Sequence, residues 1–267
     1  MTNKFAGLII NLIMTILQGI FLGIVQGLTE FLPVSSSGHL VFFQKLLGLN
    51  GDFLLFNLIL HMATLLAVII VFRKTIWEII KNPLGKKGRL IIISCIPTLI
   101  LALLFKDLLQ NPSGVLLGCL FLVTAVILLI SQFIAKKRML GSPIGYKHAI
   151  IMGFAQGIAC FPGISRSGAT IASGLISGAD KNEVAEFSFL ISAPVIFGGF
   201  VIELISVLKD DVAITFSAFP TILGFACAFI VGILAIKFML KMIKNLNFAW
   251  FSAYLVIISI ISFIFIK

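Results

Sequence analysis

Charge is scarce in this sequence. Of 267 residues only 11% are Asp, Glu, Lys or Arg, against 60% hydrophobic, where a soluble domain is about a quarter charged and about half apolar. Thirty charges cannot give a 29.0 kDa globule a polar surface. A mean hydropathy of +1.19 assigns the missing water-facing surface to lipid. Disorder, collagen, a coiled coil and a soluble enzyme are thereby excluded, and an integral membrane protein is left. Cysteine is equally sparse. Cys95, Cys119, Cys160 and Cys227 lie in apolar stretches without CxxC spacing, which excludes a disulfide framework or a cysteine metal site and leaves them as small hydrophobes. A cleavable signal is also missing: residues 5–22 are apolar, but no A-x-A-like site follows, so they are expected in the mature fold. Acidic residues number 10 against 20 basic ones. In a chain this apolar, the excess reads as cytoplasmic loops and not as a nucleic-acid surface.

What is present is a set of long apolar runs. Residues 53–72, 90–105, 115–135, 187–208, 213–236 and 248–266 each approach the roughly 20 residues needed to cross hydrocarbon. Pro97, Pro194 and Pro220 are expected to kink their helices. Asn50-Gly51-Asp52, Asn111-Pro112-Ser113-Gly114 and Gly141-Ser142-Pro143 read as turns. Asp180 with Glu183 resembles a capping box. Residues 14–49 and 148–178 are apolar but broken in their middles by Gly, Pro, Ser and charge. Non-helical backbone survives at membrane depth only where protein or a water-filled cavity covers it, so each is expected to be a re-entrant helix–loop–helix.

The two broken regions are also alike. A shift of 130 residues lays Gly23–Gly38 on Gly153–Gly168 without a gap, with seven of 16 positions identical, including Gln26/Gln156, Ser35/Ser165 and Ser37/Ser167. Chance would give about one or two. Each copy precedes three spans, and an odd number of crossings reverses orientation, so the fold expected is an all-α inverted-topology repeat. The chain forms one membrane domain, 1–267, with repeats at about 14–135 and 148–267. The two loops should meet inside the bilayer, and the functional site should lie there. Fourteen of the 20 basic residues fall in loops on one side, five on the other, and Arg166 lies within a repeat. The heavy side should be cytoplasmic, with both termini outside unless residues 5–22 cross fully.

The first loop region reads Gln26-Gly27-Leu28-Thr29-Glu30-Phe31-Leu32-Pro33-Val34-Ser35-Ser36-Ser37-Gly38-His39. Gln26 and Glu30, four apart, share a helix face. A carboxylate at this depth costs about 2.5–3.5 kcal/mol and needs a partner. It either reaches interfacial water or, with Gln26, offers hard oxygen donors to a divalent cation. The second loop reads Phe161-Pro162-Gly163-Ile164-Ser165-Arg166-Ser167-Gly168-Ala169-Thr170. A helix starting near Ser165 would present free N–H groups to an anion, and Arg166 could clamp two phosphate oxygens or serve as a structural partner of Glu30. Repeat alignment sets Ser36 against Arg166 and Glu30 against Cys160. A hydroxyl nucleophile, a proton-transfer group (His39), a cation ligand and an anion clamp suit phosphoryl transfer. Elsewhere, His61 and His148 read as a packing and an interfacial residue, and Glu186 and Glu203 as interfacial.

Gln26-x-x-x-Glu30, the run 33–39 and the run 162–170 resemble the signatures of the undecaprenyl-diphosphate phosphatase family, the bacitracin-resistance family. The resemblance covers nearly the whole chain. It implies hydrolysis of undecaprenyl diphosphate to undecaprenyl phosphate and inorganic phosphate, dependent on a divalent cation such as Mg²⁺ or Ca²⁺, in a multi-pass protein of the bacterial plasma (inner) membrane. By resemblance, Glu30 and Gln26 would bind metal and Arg166 would hold the diphosphate. Ser36 and His39 would serve as nucleophile and proton-transfer group, while Ser35, Ser37, Gly163, Ser165, Ser167 and Thr170 would line the phosphate site. Polyprenyl diphosphate and membrane lipid are the expected partners, nucleic acid is not, and a homodimer is left open. Inverted repeats with broken helices are equally a transporter arrangement, so a carrier or flippase of a lipid phosphate or small anion is the alternative.

Overall fold

The computed structural model of the chain describes residues 14–49, 51, 53–105, 113–137, 141–209 and 218–265. Lys4, Asn50, Asp52, Lys106, Asn111, Pro112, Arg138 and Lys267, the start of the 5–22 stretch, residues 213–217 and residue 266 lie outside the described residues.

Among the described residues the chain forms eleven α-helices and no strand. Helices α1 (Ile16–Phe31) and α2 (Ser36–Leu46) make a first hairpin. There follow α3 (Leu54–Val71), a short α4 (Arg73–Lys81), α5 (Lys86–Leu104) and α6 (Gly114–Lys137). A second hairpin, α7 (Tyr146–Ile158) and α8 (Arg166–Ser177), leads to α9 (Lys181–Lys209), α10 (Ala218–Met242) and α11 (Ala249–Phe265). Five of these, α3, α5, α6, α9 and α10, are long and apolar enough to cross a membrane, while α11 is a shorter apolar helix of 17 residues. Their outward faces remain apolar. Ile92, Ile96, Leu99 and Leu103 form an exposed stripe on α5 at helical spacing, a surface that only lipid stabilises.

Local chemistry sets the ends. Thr15 closes a capping box with Gln18 at the start of α1. Leu32 is extended, as the residue before Pro33 prefers, and α1 stops there. Of the prolines read as possible kink sites, two lie inside continuous helices and one at a helix start. α5 and α9 run through Pro97 and Pro194, and Pro220 sits in the first turn of α10, where a missing N–H leaves no bond unmade. The expected capping box at Asp180 is only half formed. Asp180 Oδ1 accepts from Asn182 N, but the Glu183 carboxylate turns to the free N–H of Ile144 at 2.8 Å.

Packing crosses between the two parts of the chain. α1 lies on α10, where Gly23 is so close to the Gly224 carbonyl that an added Cβ would come within 2.2 Å of it. α7 lies on α5, with Gly153 against the Ser94 carbonyl at the same 2.2 Å. Small residues of this kind let membrane helices approach at backbone distance. Between these pairs runs a core of buried aromatics, including Phe31 edge-on to Phe189 at 5.4 Å, with Phe42 and Phe121.

Candidate active site

The loops of the two hairpins touch. Ser35, the N-cap of α2, holds φ at 73°, a left-handed conformation that costs a non-glycine residue energy and persists only where surroundings impose it. Here its Oγ accepts from Gly38 N and, across the loop boundary, from Gly163 N at 3.1 Å. Gly163 itself has φ of 105°, open to glycine. Ser167 Oγ donates to the Leu32 carbonyl at 3.0 Å, a second tie between loops. Thr124 of α6 backs the junction: its Oγ1 donates to Gly163 O and accepts from Ser165 N. Ser165 caps α8 through Gly168 N, and Thr170 Oγ1 bonds the Arg166 carbonyl and Ser188 Oγ.

This framework presents a compact polar cluster. Glu30, on the last turn of α1, is 8% exposed, and both carboxylate oxygens are engaged. Its Oε2 accepts from Gln26 Nε2 at 3.0 Å and from Ser36 Oγ at 2.5 Å. Its Oε1 accepts from Arg166 Nη1 at 3.4 Å. His61 Nε2 lies 3.7 Å from Oε2. A carboxylate buried in an apolar protein is tenable only with such company. Two atoms nevertheless lack partners: Gln26 Oε1 and Arg166 Nε, both buried. An unused acceptor on Gln26 and an unused donor on the guanidinium are groups that a cation and an anion, respectively, would satisfy.

The site residues expected from sequence therefore divide. Gln26, Glu30, Ser36 and Arg166 come together. Ser35, Gly163, Ser165, Ser167 and Thr170 have their polar atoms committed to building and tying the loops, and Ser37 is half-buried in the first turn of α2. Both ring nitrogens of His39 bond partners outside the Gln26, Glu30, Ser36 and Arg166 cluster. The imidazole ring is fully buried, with Nδ1 2.7 Å from the Ser35 carbonyl and Nε2 2.8 Å from Tyr254 Oη, stacked on Tyr254 and edge-on to Phe121. Arg166 meets Glu30, so the pairing weighed from sequence does form, with the arginine side chain still 25% exposed. His61, read from sequence as a packing residue, instead faces Glu30. The signal available was a polar stripe, Asn57, His61 and Thr64, on one face of an otherwise apolar span. Thr124 gave no such signal, being a lone polar residue in an apolar run, and Ser188 and Tyr254 are single members of scattered polar positions with no distinguishing pattern. Among the described residues no three His, Cys, Asp or Glu side chains gather as a metal cage. Any cation would have the Glu30 carboxylate and the Gln26 carbonyl as its hard donors, a set that magnesium-type sites complete with water and substrate phosphate.

Comparison with known proteins agrees over almost the full length. Residues 19–261 match the family described as bacitracin resistance protein BacA. An undecaprenyl-diphosphatase of Carboxydothermus hydrogenoformans is 42% identical over 246 residues, covering 91% of this chain and 94% of the relative. Proteins of the same name from Christiangramia forsetii and Methanosphaera stadtmanae are 40% and 38% identical, covering 94% and 93% of this chain and 98% and 97% of theirs.

Proposed function

The chain belongs to the bacitracin resistance protein BacA family, and from that membership and the polar cluster we infer that it hydrolyses undecaprenyl diphosphate to undecaprenyl phosphate and inorganic phosphate. The observation that carries the chemistry is the Ser36 hydroxyl donating to Glu30 while Arg166 holds the opposite carboxylate oxygen. Glu30 takes the Ser36 proton as Oγ bonds the terminal phosphorus, and the bond from that phosphorus to the bridging oxygen breaks. Undecaprenyl phosphate departs carrying the proton that Glu30 returns. A water then attacks the phosphoserine; Glu30 accepts its proton and hands it to Ser36 Oγ as inorganic phosphate leaves. Arg166 binds phosphate oxygens through the unpartnered Nε and the Nη2 beside it, a planar pair of donors suited to the charge of the transition state, while Nη1 stays on Glu30. His39 acts at one remove, fixing the Ser35 carbonyl and with it the first turn of α2.

Gln26 and Glu30 are the residues that would hold a divalent cation, which when bound would neutralise diphosphate charge. The prenyl tail stays in lipid against the apolar helix faces. The two hairpins are copies in an inverted repeat of six spans, with the 17 residues of α11 at the short end of what crosses a bilayer. Supporting this, the 130-residue shift that relates the loops also relates the two closest helix contacts: Gly23 to Gly153, and Gly224 to Ser94. The basic loops face the cytoplasm of a bacterial plasma membrane.

The test is phosphate release from undecaprenyl diphosphate by purified protein. Release should cease in chelator and in Ser36→Ala, and acid-quenched protein should carry phosphate on Ser36. Turnover by Ser36→Ala near the parent rate would shift the attack to water. Movement of lipid across vesicles without phosphate release would replace hydrolysis by transport.

A further inference from the structure

His61 lies in the middle of α3, half-buried, with its ring fixed at one end. Nδ1 is 2.7 Å from the carbonyl oxygen of Asn57, one turn earlier. A carbonyl only accepts, so Nδ1 carries the hydrogen, and in the neutral tautomer that this bond selects the lone pair of Nε2 faces Glu30. Nε2 stands 3.7 Å from Glu30 Oε2, too far for a hydrogen bond. One turn before Glu30, Gln26 Oε1 is buried without a partner. Thr64, one turn after His61, donates to the His61 carbonyl and accepts from Gln26 Nε2 at 3.5 Å, tying α3 to α1 at this level. In that tautomer no hydrogen lies between Nε2 and the carboxylate, and the amide of Gln26, bonded to Oε2 through its Nε2, keeps an unused carbonyl acceptor. The nearby guanidinium of Arg166 is engaged on the other oxygen, Oε1. A ring whose far nitrogen is held by a backbone carbonyl while the near one points at a carboxylate is the arrangement of a metal-ligating histidine.

We propose that His61 is a further ligand of the divalent cation at Glu30, its Nε2 completing a mixed nitrogen–oxygen donor set with the carboxylate and the Gln26 carbonyl. The inference rests on the metal-dependent reading above. Two atoms 3.7 Å apart can share one ion through ligand bonds of about 2.0–2.3 Å. With 19% of its side chain exposed, the imidazole is accessible to an arriving ion. A nitrogen in the set favours first-row transition ions over Mg²⁺ and Ca²⁺, which prefer oxygen alone.

The experiment uses the full chain in detergent with Mn²⁺ alone as probe and pulsed electron paramagnetic resonance as readout, with no turnover needed. Bound Mn²⁺ should show ¹⁴N modulation from a coordinated imidazole. The signal should convert to that of ¹⁵N in unmutated protein grown with ¹⁵N-histidine, and vanish in His61→Gln. The same variant should weaken Mn²⁺ by at least the roughly tenfold typical of disturbing even a ligand's outer partner, with Mg²⁺ affinity nearly unchanged. Mn²⁺ bound in a manner sensitive to Glu30→Gln but free of nitrogen modulation would overturn the role of His61 alone, leaving it an ion-pair neighbour of the carboxylate. Failure of the unmutated chain to bind Mn²⁺ at all would overturn it together with the metal-dependent reading.

Discussion

The two hairpins share a plan and differ in what they carry. Each ends its first helix in a short loop, caps its second with a serine, Ser35 or Ser165, and buries a glutamine, Gln26 or Gln156, whose Oε1 has no partner. Where the first bears Glu30, however, the second bears Cys160, whose thiol merely turns back to the Gln156 carbonyl at 3.7 Å. Where the first bears Ser36, the second bears Arg166. Gln156 donates to Thr98 and to the Ile191 carbonyl, so its amide braces helices, while Gln26 braces a carboxylate. On the proposed mechanism, one scaffold carries a nucleophile and its base on one side and an anion clamp on the other. A diphosphate requires both, because its charge must be held while one of its bonds is broken.

The comparison can be broken most severely at Arg166. Arg166→Lys keeps a positive charge but loses the planar fork, and turnover should fall by about 10³–10⁵-fold, the range over which a catalytic arginine acts in phosphoryl transfer. A variant within tenfold of the parent in a phosphate-release assay would reduce Arg166 to a counter-charge for Glu30. Next comes an exchange of the two halves' distinguishing groups. Glu30→Cys should cost about 10²–10⁴-fold, the usual yield of a general base. Adding Cys160→Glu should restore nothing, since the new carboxylate would lie on the side that has arginine, not serine, at the start of its second helix. Recovery in the double variant would mean that the hairpins are interchangeable and that only a carboxylate somewhere at the junction is needed.

Much of this was legible in the sequence, for physical reasons that differ by region. Among the described residues five of the apolar runs became helices long and apolar enough to cross a membrane, and the paired breaks with their shared glycines identified the hairpins, because Gly23 and Gly153 answer one demand, backbone contact with a neighbouring helix. Glu30, Gln26, Ser36 and Arg166 stood out as polar groups at costly depth. The roles within the loops were not legible. Ser35 and Ser36 are adjacent and chemically identical, and only the left-handed backbone at Ser35 turns its hydroxyl into a staple while Ser36 reaches the carboxylate. His61 depends on how α3 is rotated against α1, and His39 on a tyrosine 215 residues away in α11. The stripe Asn57, His61 and Thr64 marks a polar face of α3 but not the carboxylate it meets, and the bond of His39 to Tyr254 has no local signature.

The smallest expected effect sharpens the comparison at His39, whose counterpart in the second hairpin is Ala169. If the imidazole positions the loop and transfers no proton, its partner Tyr254 matters only as a hydrogen bond and a stacked ring. Tyr254→Phe keeps the stacking and removes the hydroxyl 2.8 Å from Nε2. The loss should be about 0.5–1.5 kcal/mol of stability, the net worth of one hydrogen bond, read as a lowered midpoint of thermal unfolding in detergent. Turnover should change by less than tenfold, because Ser36 and Glu30 stay in place. Collapse of turnover with the unfolding midpoint unmoved would mean that a proton passes along Tyr254 and His39, and the first hairpin would then carry its own acid as well as its base.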